Sequence, residues 1–210
     1  MRKRGIEGLL YAPASPDQDE HWFNLVNNIA PATQRLVYGC DETREALMRR
    51  AYRGNYGYFG HRRHRMAMLD MVCVGMVAAC TRNETFQLSV GMLRLLFGSY
   101  PPIQALQRLR RLLATTAANP RPPPETYFLY NLAVAPAFYG RGIGSWLLQQ
   151  EIDRARQQGF RSVELDVETH NAQAIALYQT YGFQVRQHLH NHRRLDGFAF
   201  CDHLRLRLHI

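Results

Sequence analysis

Lysine is all but missing from this chain. Lys3 is the sole lysine among 26 basic side chains, and the rest are arginine. Acidic residues are also few, 17 Asp and Glu in 210 residues, which leaves a formal net charge of +9. An arginine-rich positive surface suits phosphate-bearing partners, be they a nucleotide cofactor, a nucleic acid or a membrane face, and does not choose among them. Cysteine is scarce as well: Cys40, Cys73, Cys80 and Cys201 form no Cys-x-x-Cys pair. That excludes a dithiol redox motif, and four reduced thiols in a cytoplasmic protein are expected. Long apolar runs are lacking too. The basic start Met1–Arg4 leads only into Leu9-Leu10-Tyr11, too short for a signal core. The most apolar stretch, Met66 to Thr81, contains Asp70 and falls short of the ~20 residues that cross a bilayer, so no transmembrane helix is expected. With 46% apolar and 20% charged residues, the composition excludes wholesale disorder. The length fits one domain over residues 1–210.

Periodicity divides the chain into two unequal halves. Ser15-Pro16-Asp17 starts a short helix through Trp22, Phe23, Leu25 and Val26. Asp41 is expected to cap a clearer one, with Glu42 and Glu45 early, Arg49, Arg50 and Arg53 late, and Gly54 at its end. Strands follow at about 64–70 and 72–80. The segment 81–124 reads as an inserted helical hairpin. Phe86 to Phe97 forms one apolar helix, Gly98 to Pro102 breaks it, and Ile103 to Leu113 forms an amphipathic one before a proline-rich exit. This insertion carries six arginines and one glutamate.

From Glu125 the pattern sharpens. Strand Thr126–Val134, helix Ile143–Gln158, strand Phe160–Glu168, helix Asn171–Tyr181 and strand Phe183–Leu189 follow in turn. Asp196-Gly197 marks a turn, and Phe198–Ile210 reads as one long last strand. The class is α/β with a mixed sheet.

The chemically informative string is Pro136-Ala137-Phe138-Tyr139-Gly140-Arg141-Gly142-Ile143-Gly144-Ser145, between a strand and a helix. Its glycines let successive backbone N–H groups point one way at the start of a helix dipole, a cradle suited to a pyrophosphate. No Gly-Lys-Ser/Thr follows, so it is not a P-loop. The third glycine comes one residue too early for the dinucleotide G-x-G-x-x-G. One strand and one helix later stand Asn171, Ala174, Tyr178 and Gly182-Phe183.

Together these residues resemble the GNAT superfamily of N-acetyltransferases. Its acetyl-coenzyme A signature, Gln/Arg-x-x-Gly-x-Gly/Ala, is matched by Tyr139 to Gly144, with Tyr139 replacing the usual Gln or Arg. Its second signature, Asn-x-x-Ala-x-x-x-Tyr-x-x-x-Gly-Phe, is matched in full by Asn171 to Phe183. The specific resemblance covers about residues 125–190. It implies the GNAT acyl-coenzyme A N-acyltransferase fold, a mostly antiparallel sheet with a parallel central pair, split at the cofactor. It also implies transfer of acetyl from acetyl-CoA to a primary amine, of a small molecule or a peptide or protein N-terminus, by direct attack in a ternary complex.

The resemblance and the chemistry assign roles. The phosphates need N–H donors, which Tyr139, Gly140, Arg141, Gly142, Ile143, Gly144 and Ser145 can surround. The pantetheine amides need a strand edge, which Leu132, Ala133 and Val134 offer, with the Val134 N–H near the thioester carbonyl. Tyr178, at i+7 from Asn171 and i+4 from Ala174, is placed to protonate the departing thiolate. Asn171 positions the pantetheine or caps its helix. Period 2 puts Glu164, Asp166 and Glu168 on one side of their strand. Asp166 stands where the ribosomal-protein alanine N-acetyltransferase branch carries a glutamate thought to be the base. Glu168 is the alternative, and a dedicated base need not exist. Phe128 stands where the histone-acetylating branch has glutamate. The inserted hairpin, with Tyr56, Tyr58 and Phe59, is expected to wall the acceptor site.

His188, His190 and His192 alternate, but no fourth ligand is evident and no metal is expected. The arginines from Arg49 to Arg65, interleaved with aromatics, resemble a nucleic-acid face. The competing readings are therefore a non-catalytic acyl-CoA-binding sensor and an RNA-directed acetyltransferase or nucleic-acid binder. A homodimer stays open, and the acceptor is not legible.

Overall fold

The computed structural model describes residues 8–116, 121–192 and 194–210. Among them the chain forms β1 (Leu9–Pro13), α1 (Asp19–Val26), α2 (Pro31–Tyr38), α3 (Asp41–Arg53), β2 (His64–Leu69) and β3 (Val72–Thr81). Then come α4 (Thr85–Phe97), α5 (Pro102–Thr116), β4 (Thr126–Val134), α6 (Ile143–Gln157), β5 (Ser162–Glu168) and α7 (Ala172–Thr180). The chain closes with β6 (Gln184–Leu189), β7 (Arg194–Leu195), β8 (Phe198–Ala199) and β9 (His203–His209). Seven strands make one sheet in the order β1-β2-β3-β4-β5-β9-β6. Only β4 and β5 run parallel; every other neighbouring pair is antiparallel. The mixed, mostly antiparallel sheet with a parallel central pair is thus the observed one.

Strand alternation builds a core on each face. Met66 and Met76 pack with Trp22, Val26, Met48, Tyr52 and Leu96 on one side. Ala67, Val77, Leu129, Val163 and Leu165 pack with Ile143, Leu147, Ile152 and Phe183 on the other. The first core belongs to α1, α3 and α4, the second to α6 and the segment after α7.

The N-terminal segment holds more than one helix. β1 and α2 are elements that the periodicity does not announce. α2 starts after Ala30, whose φ of 44° is left-handed, and the turn is held from outside. The Gln34 amide donates to the carbonyls of Val26 at 2.9 Å and Ile29 at 2.6 Å, and Arg44 donates to the Gln34 oxygen at 3.0 Å. Asp41 is the first residue of α3 rather than its cap. Its carboxylate faces Arg35 at 2.9 Å and Arg44 at 3.0 Å, and Cys40 holds the cap position without a side-chain bond.

The expected long last strand is broken in two. Asp196 and Gly197, at φ 52° and 79°, close the small β7–β8 hairpin. Asp202 then takes the Asn191 N–H at 2.8 Å and His190 Nδ1 at 2.9 Å, which turns the chain before β9 begins.

Candidate active site

The site begins where β4 and β5 part. They pair from Thr126↔Ser162 to Leu129↔Leu165 and no further. Beyond that point β4 stays with β3, while Asp166, Val167 and Glu168 stay with β9. Asn131 drives the separation. It sits at φ 54°, and the register passes from Ala78↔Tyr130 to Met76↔Ala133, so β4 spends one extra residue. Such a bulge bends its strand and adds twist.

The bulge leaves Leu132 to Val134 along the gap. The Ala135 N–H donates to Val74 O at 2.9 Å, toward β3. Successive strand amides point to opposite edges, so the Val134 N–H points into the gap, where β5 no longer answers it. A pantetheine amide or a thioester oxygen is the kind of group that edge accepts.

The gap opens directly onto the glycine loop. Pro136–Phe138 makes one tight turn, and Gly140 and Gly142 follow at φ 74° and 83°. Both are left-handed positions that glycine takes without penalty. A side-chain carbon at either would meet nothing within 4 Å, so the space in front of the loop is open. Gly142 is the N-cap of α6, and its carbonyl accepts the first helical bond from the Trp146 N–H at 2.9 Å. The N–H groups of Ile143, Gly144 and Ser145 therefore have no partner inside the helix and aim outward with its positive dipole end. That donor set fits a diphosphate. Tyr139 is exposed, and the Arg141 guanidinium lies 5.1 Å from the Phe138 ring, beside the cradle.

The helix α7 closes the other wall. Asn171 is its N-cap, and its side-chain oxygen accepts from the Ala174 N–H at 3.1 Å, which settles the capping role. Tyr178 lies on the buried side, 8% exposed, against Phe183 at 5.8 Å between ring centres. Among the described residues its hydroxyl has no hydrogen-bond partner, and burial pushes its pKa up to about 12. It therefore keeps its proton at any ordinary pH. Sequence reasoning missed one contact here. The Tyr181 hydroxyl donates to Ser145 O at 2.7 Å, tying the end of α7 to the first turn of α6. Its signal was only a tyrosine one residue before Gly182.

The three carboxylates of β5 share one side, as their period requires, and have different partners. Glu164 is fully buried between Arg186 at 2.8 Å and Arg207 at 2.5 Å. Asp166 forms a double hydrogen bond with Arg205, 2.8 Å on each arm, and the Arg205 guanidinium covers the Phe128 ring at 5.2 Å. Glu168 is half-buried beside His170 Nε2 at 3.1 Å. Across the gap, the Tyr130 hydroxyl donates to Tyr58 O at 3.2 Å, which sets the 56–59 turn beside β4 near the bulge.

Other sequence features settle elsewhere. Tyr52 and His64 are core residues, and Arg49 and Arg53 are spent on buried Asp19 at 2.5 and 2.9 Å, so the basic aromatic row is not one continuous face. His188, His190 and His192 stack in a row 6.1 and 5.7 Å apart. Among the described residues no group of three or more His, Cys, Asp or Glu is disposed to hold a metal ion, and no helix is long and apolar enough to cross a membrane.

A parallel pair splayed at a bulge, with a glycine cradle at the mouth of the split, defines an acyl-coenzyme A N-acyltransferase fold. The chain belongs to the acetyltransferase (GNAT) family, whose model matches residues 39–183. It is 45% identical over 64 residues to an N-alpha-acetyltransferase RimI of Mycobacterium tuberculosis, a match covering 30% of this chain and 39% of the relative. It is 46% identical over 55 residues to a [ribosomal protein bS18]-alanine N-acetyltransferase of Salmonella typhimurium, covering 26% of this chain and 37% of that one. The chain thus spans well under half the length of the curated relatives it matches. Among solved structures, an N-acetyltransferase from Staphylococcus aureus superposes with a TM-score of 0.72 at 13% identity, over 95% of this chain and 100% of that one. A Bacillus subtilis acetyltransferase solved in complex with CoA superposes with a TM-score of 0.54 at 14% identity, over 96% and 97%.

Proposed function

We propose that this protein transfers an acetyl group from acetyl-CoA to a primary amine, on a peptide or protein N-terminus or on a small molecule, by direct attack in a ternary complex. One observation carries the reading: the Val134 amide that β5 leaves unanswered and the α6 cradle meet at one split in the sheet, and a side-chain carbon on Gly144 would lie within 4 Å of both Val134 and Leu177, the α7 neighbour of Tyr178. The cradle amides of Ile143, Gly144 and Ser145 hold the pyrophosphate, with Tyr139, Gly140, Arg141 and Gly142 shaping it. Leu132 to Val134 pair the pantetheine, and the Val134 N–H bonds the thioester oxygen as it gains negative charge. The amine attacks the carbonyl carbon, the carbon–sulfur bond breaks, and the thiolate takes the Tyr178 proton. The amine's own proton leaves to water, assisted by Glu168, and the Tyr178 phenolate regains a proton from water before the next turnover. Glu168 is preferred to Asp166 because both Asp166 oxygens are engaged by Arg205. The names of the two bacterial relatives favour an α-amino acceptor, with the Tyr56–Phe59 turn as one wall of its site.

The test is an acceptor screen that follows free thiol release from acetyl-CoA, across peptide N-termini, simple amines and aminoglycosides. Acceptor-dependent thiol release, greatest with a peptide α-amine, supports the reading. Tight acetyl-CoA binding with no turnover on any acceptor makes the protein a sensor instead.

A further inference from the structure

At the far end of α6 from the cradle lies a separate recess of about 190 Å³. Arg62 and Arg63 reach it from the turn before β2, Arg65 from β2 itself, and Arg154 from the later turns of α6. The helix has 15 residues, so its two ends are about 22 Å apart.

Two carboxylates line the recess, and both are already engaged. Glu84 accepts from the Thr81 N–H at 2.8 Å and hydroxyl at 3.0 Å, and pairs with Arg63. Glu151, only 1% exposed, accepts from the Tyr127 hydroxyl at 2.6 Å and from the Tyr11 hydroxyl. Arg62, Arg65 and Arg154 are left with no carboxylate at ion-pair distance among the described residues. The Arg154 Nε is sealed from solvent and has no hydrogen-bond partner. Like charges gathered around a concavity with low-dielectric walls raise its potential and draw an anion. A guanidinium offers a fork of N–H donors that fits phosphate oxygens. The volume equals on the order of six waters, enough for one phosphate group.

We propose that this recess is a second phosphate site, independent of the cradle, in which Arg62, Arg65 and Arg154 hold a phosphate dianion, free or as the terminal monoester of a small metabolite. The Glu151 carboxylate stays in the lining with the Tyr11 and Tyr127 hydroxyls bonded to it, and the four arginines there outnumber it and Glu84.

The test is calorimetric titration of inorganic phosphate into the full chain saturated with coenzyme A at low ionic strength, with adenosine monophosphate as a parallel arm. One phosphate bound per chain is expected. Arg65→Gln and Arg154→Gln should each weaken it by at least about tenfold, and surface Arg62→Gln by about threefold. Arg161→Gln, at an exposed arginine outside both the recess and the cradle, should leave it unchanged. Tighter binding of the monophosphate than of inorganic phosphate supports an esterified ligand, and equal binding a free ion. No uptake, or uptake indifferent to all three recess variants, overturns the proposal. Should coenzyme A itself not bind, the same titration on the free protein still reads these variants, so this failure and failure of the acetyl-transfer reading are distinguishable.

Discussion

Arg205 holds Asp166 with two parallel hydrogen bonds of 2.8 Å, straight across the β5–β9 ladder. The Arg205 side chain is 2% exposed and that of Asp166 is 9%. A pair this enclosed binds the two strands beside the cleft. Removing one partner strands the other charge, at a cost of about 3–5 kcal/mol. Asp166→Asn should therefore lower the midpoint of urea unfolding and, where the fold persists, leave kcat within about threefold of the parent. Glu168→Gln should do the reverse: near-native stability and a kcat lower by about a hundredfold. A kcat loss confined to Asp166→Asn would assign the base to Asp166.

Tyr178 makes a second prediction. Tyr178→Phe removes one hydroxyl and keeps the ring against Phe183. Turnover should fall by about 10²–10⁴, with little change in acetyl-CoA affinity. Because burial holds the phenol up to about 12, kcat should show no alkaline fall owed to Tyr178 through pH 10. Unchanged turnover in the phenylalanine variant would remove Tyr178 from the chemistry.

Tyr181 is expected to act through the cradle, not on the reacting atoms. Tyr181→Phe deletes the bond to Ser145 O and loosens the first turn of α6. The expected loss is about 1 kcal/mol, read as a several-fold rise in KM for acetyl-CoA with kcat nearly constant. A fall in kcat with KM unmoved would contradict a positioning role.

His64 links stability to pH. It is enclosed by Trp22, Tyr52 and Tyr130, its Nδ1 faces Gly60 O at 3.0 Å, and Nε2 has no partner. Burial pushes its pKa down to about 4 from an unfolded value of 6.5. Between those values the unfolded chain binds a proton that the folded one refuses, so stability falls as pH drops from 6.5 toward 4. The full contribution is about 3 kcal/mol. Urea unfolding at pH 7 and pH 4.5 should show that decline, and His64→Phe should flatten it. An equally steep decline in the variant would place the effect elsewhere.

The C-terminal half was legible because its signals are local. Glycines at Gly140 and Gly142 announce left-handed turns, and Asn171 announces a cap, whatever the chain does elsewhere. What the sequence hid depends on distant partners. α2 is fixed by its own Gln34, which reaches back to Val26 O and Ile29 O, and by Arg44 from α3. β1 is a five-residue edge strand without clear alternation. The commitment of Asp166 to Arg205 lies 39 residues away along the chain. The split itself was expected from resemblance, but its cause, an extra residue at Asn131, has only a weak local signal: asparagine tolerates a left-handed φ, and nothing beside it in the sequence says that the strand bulges there.

The most direct test of the account is calorimetric titration of acetyl-CoA beside S-acetylpantetheine, which carries the thioester without the pyrophosphate. The account predicts one acetyl-CoA per chain, with S-acetylpantetheine weaker by at least about a hundredfold, as expected from loss of several charge-assisted hydrogen bonds. Equal affinity for the two, or no binding of acetyl-CoA at millimolar concentration, would contradict it.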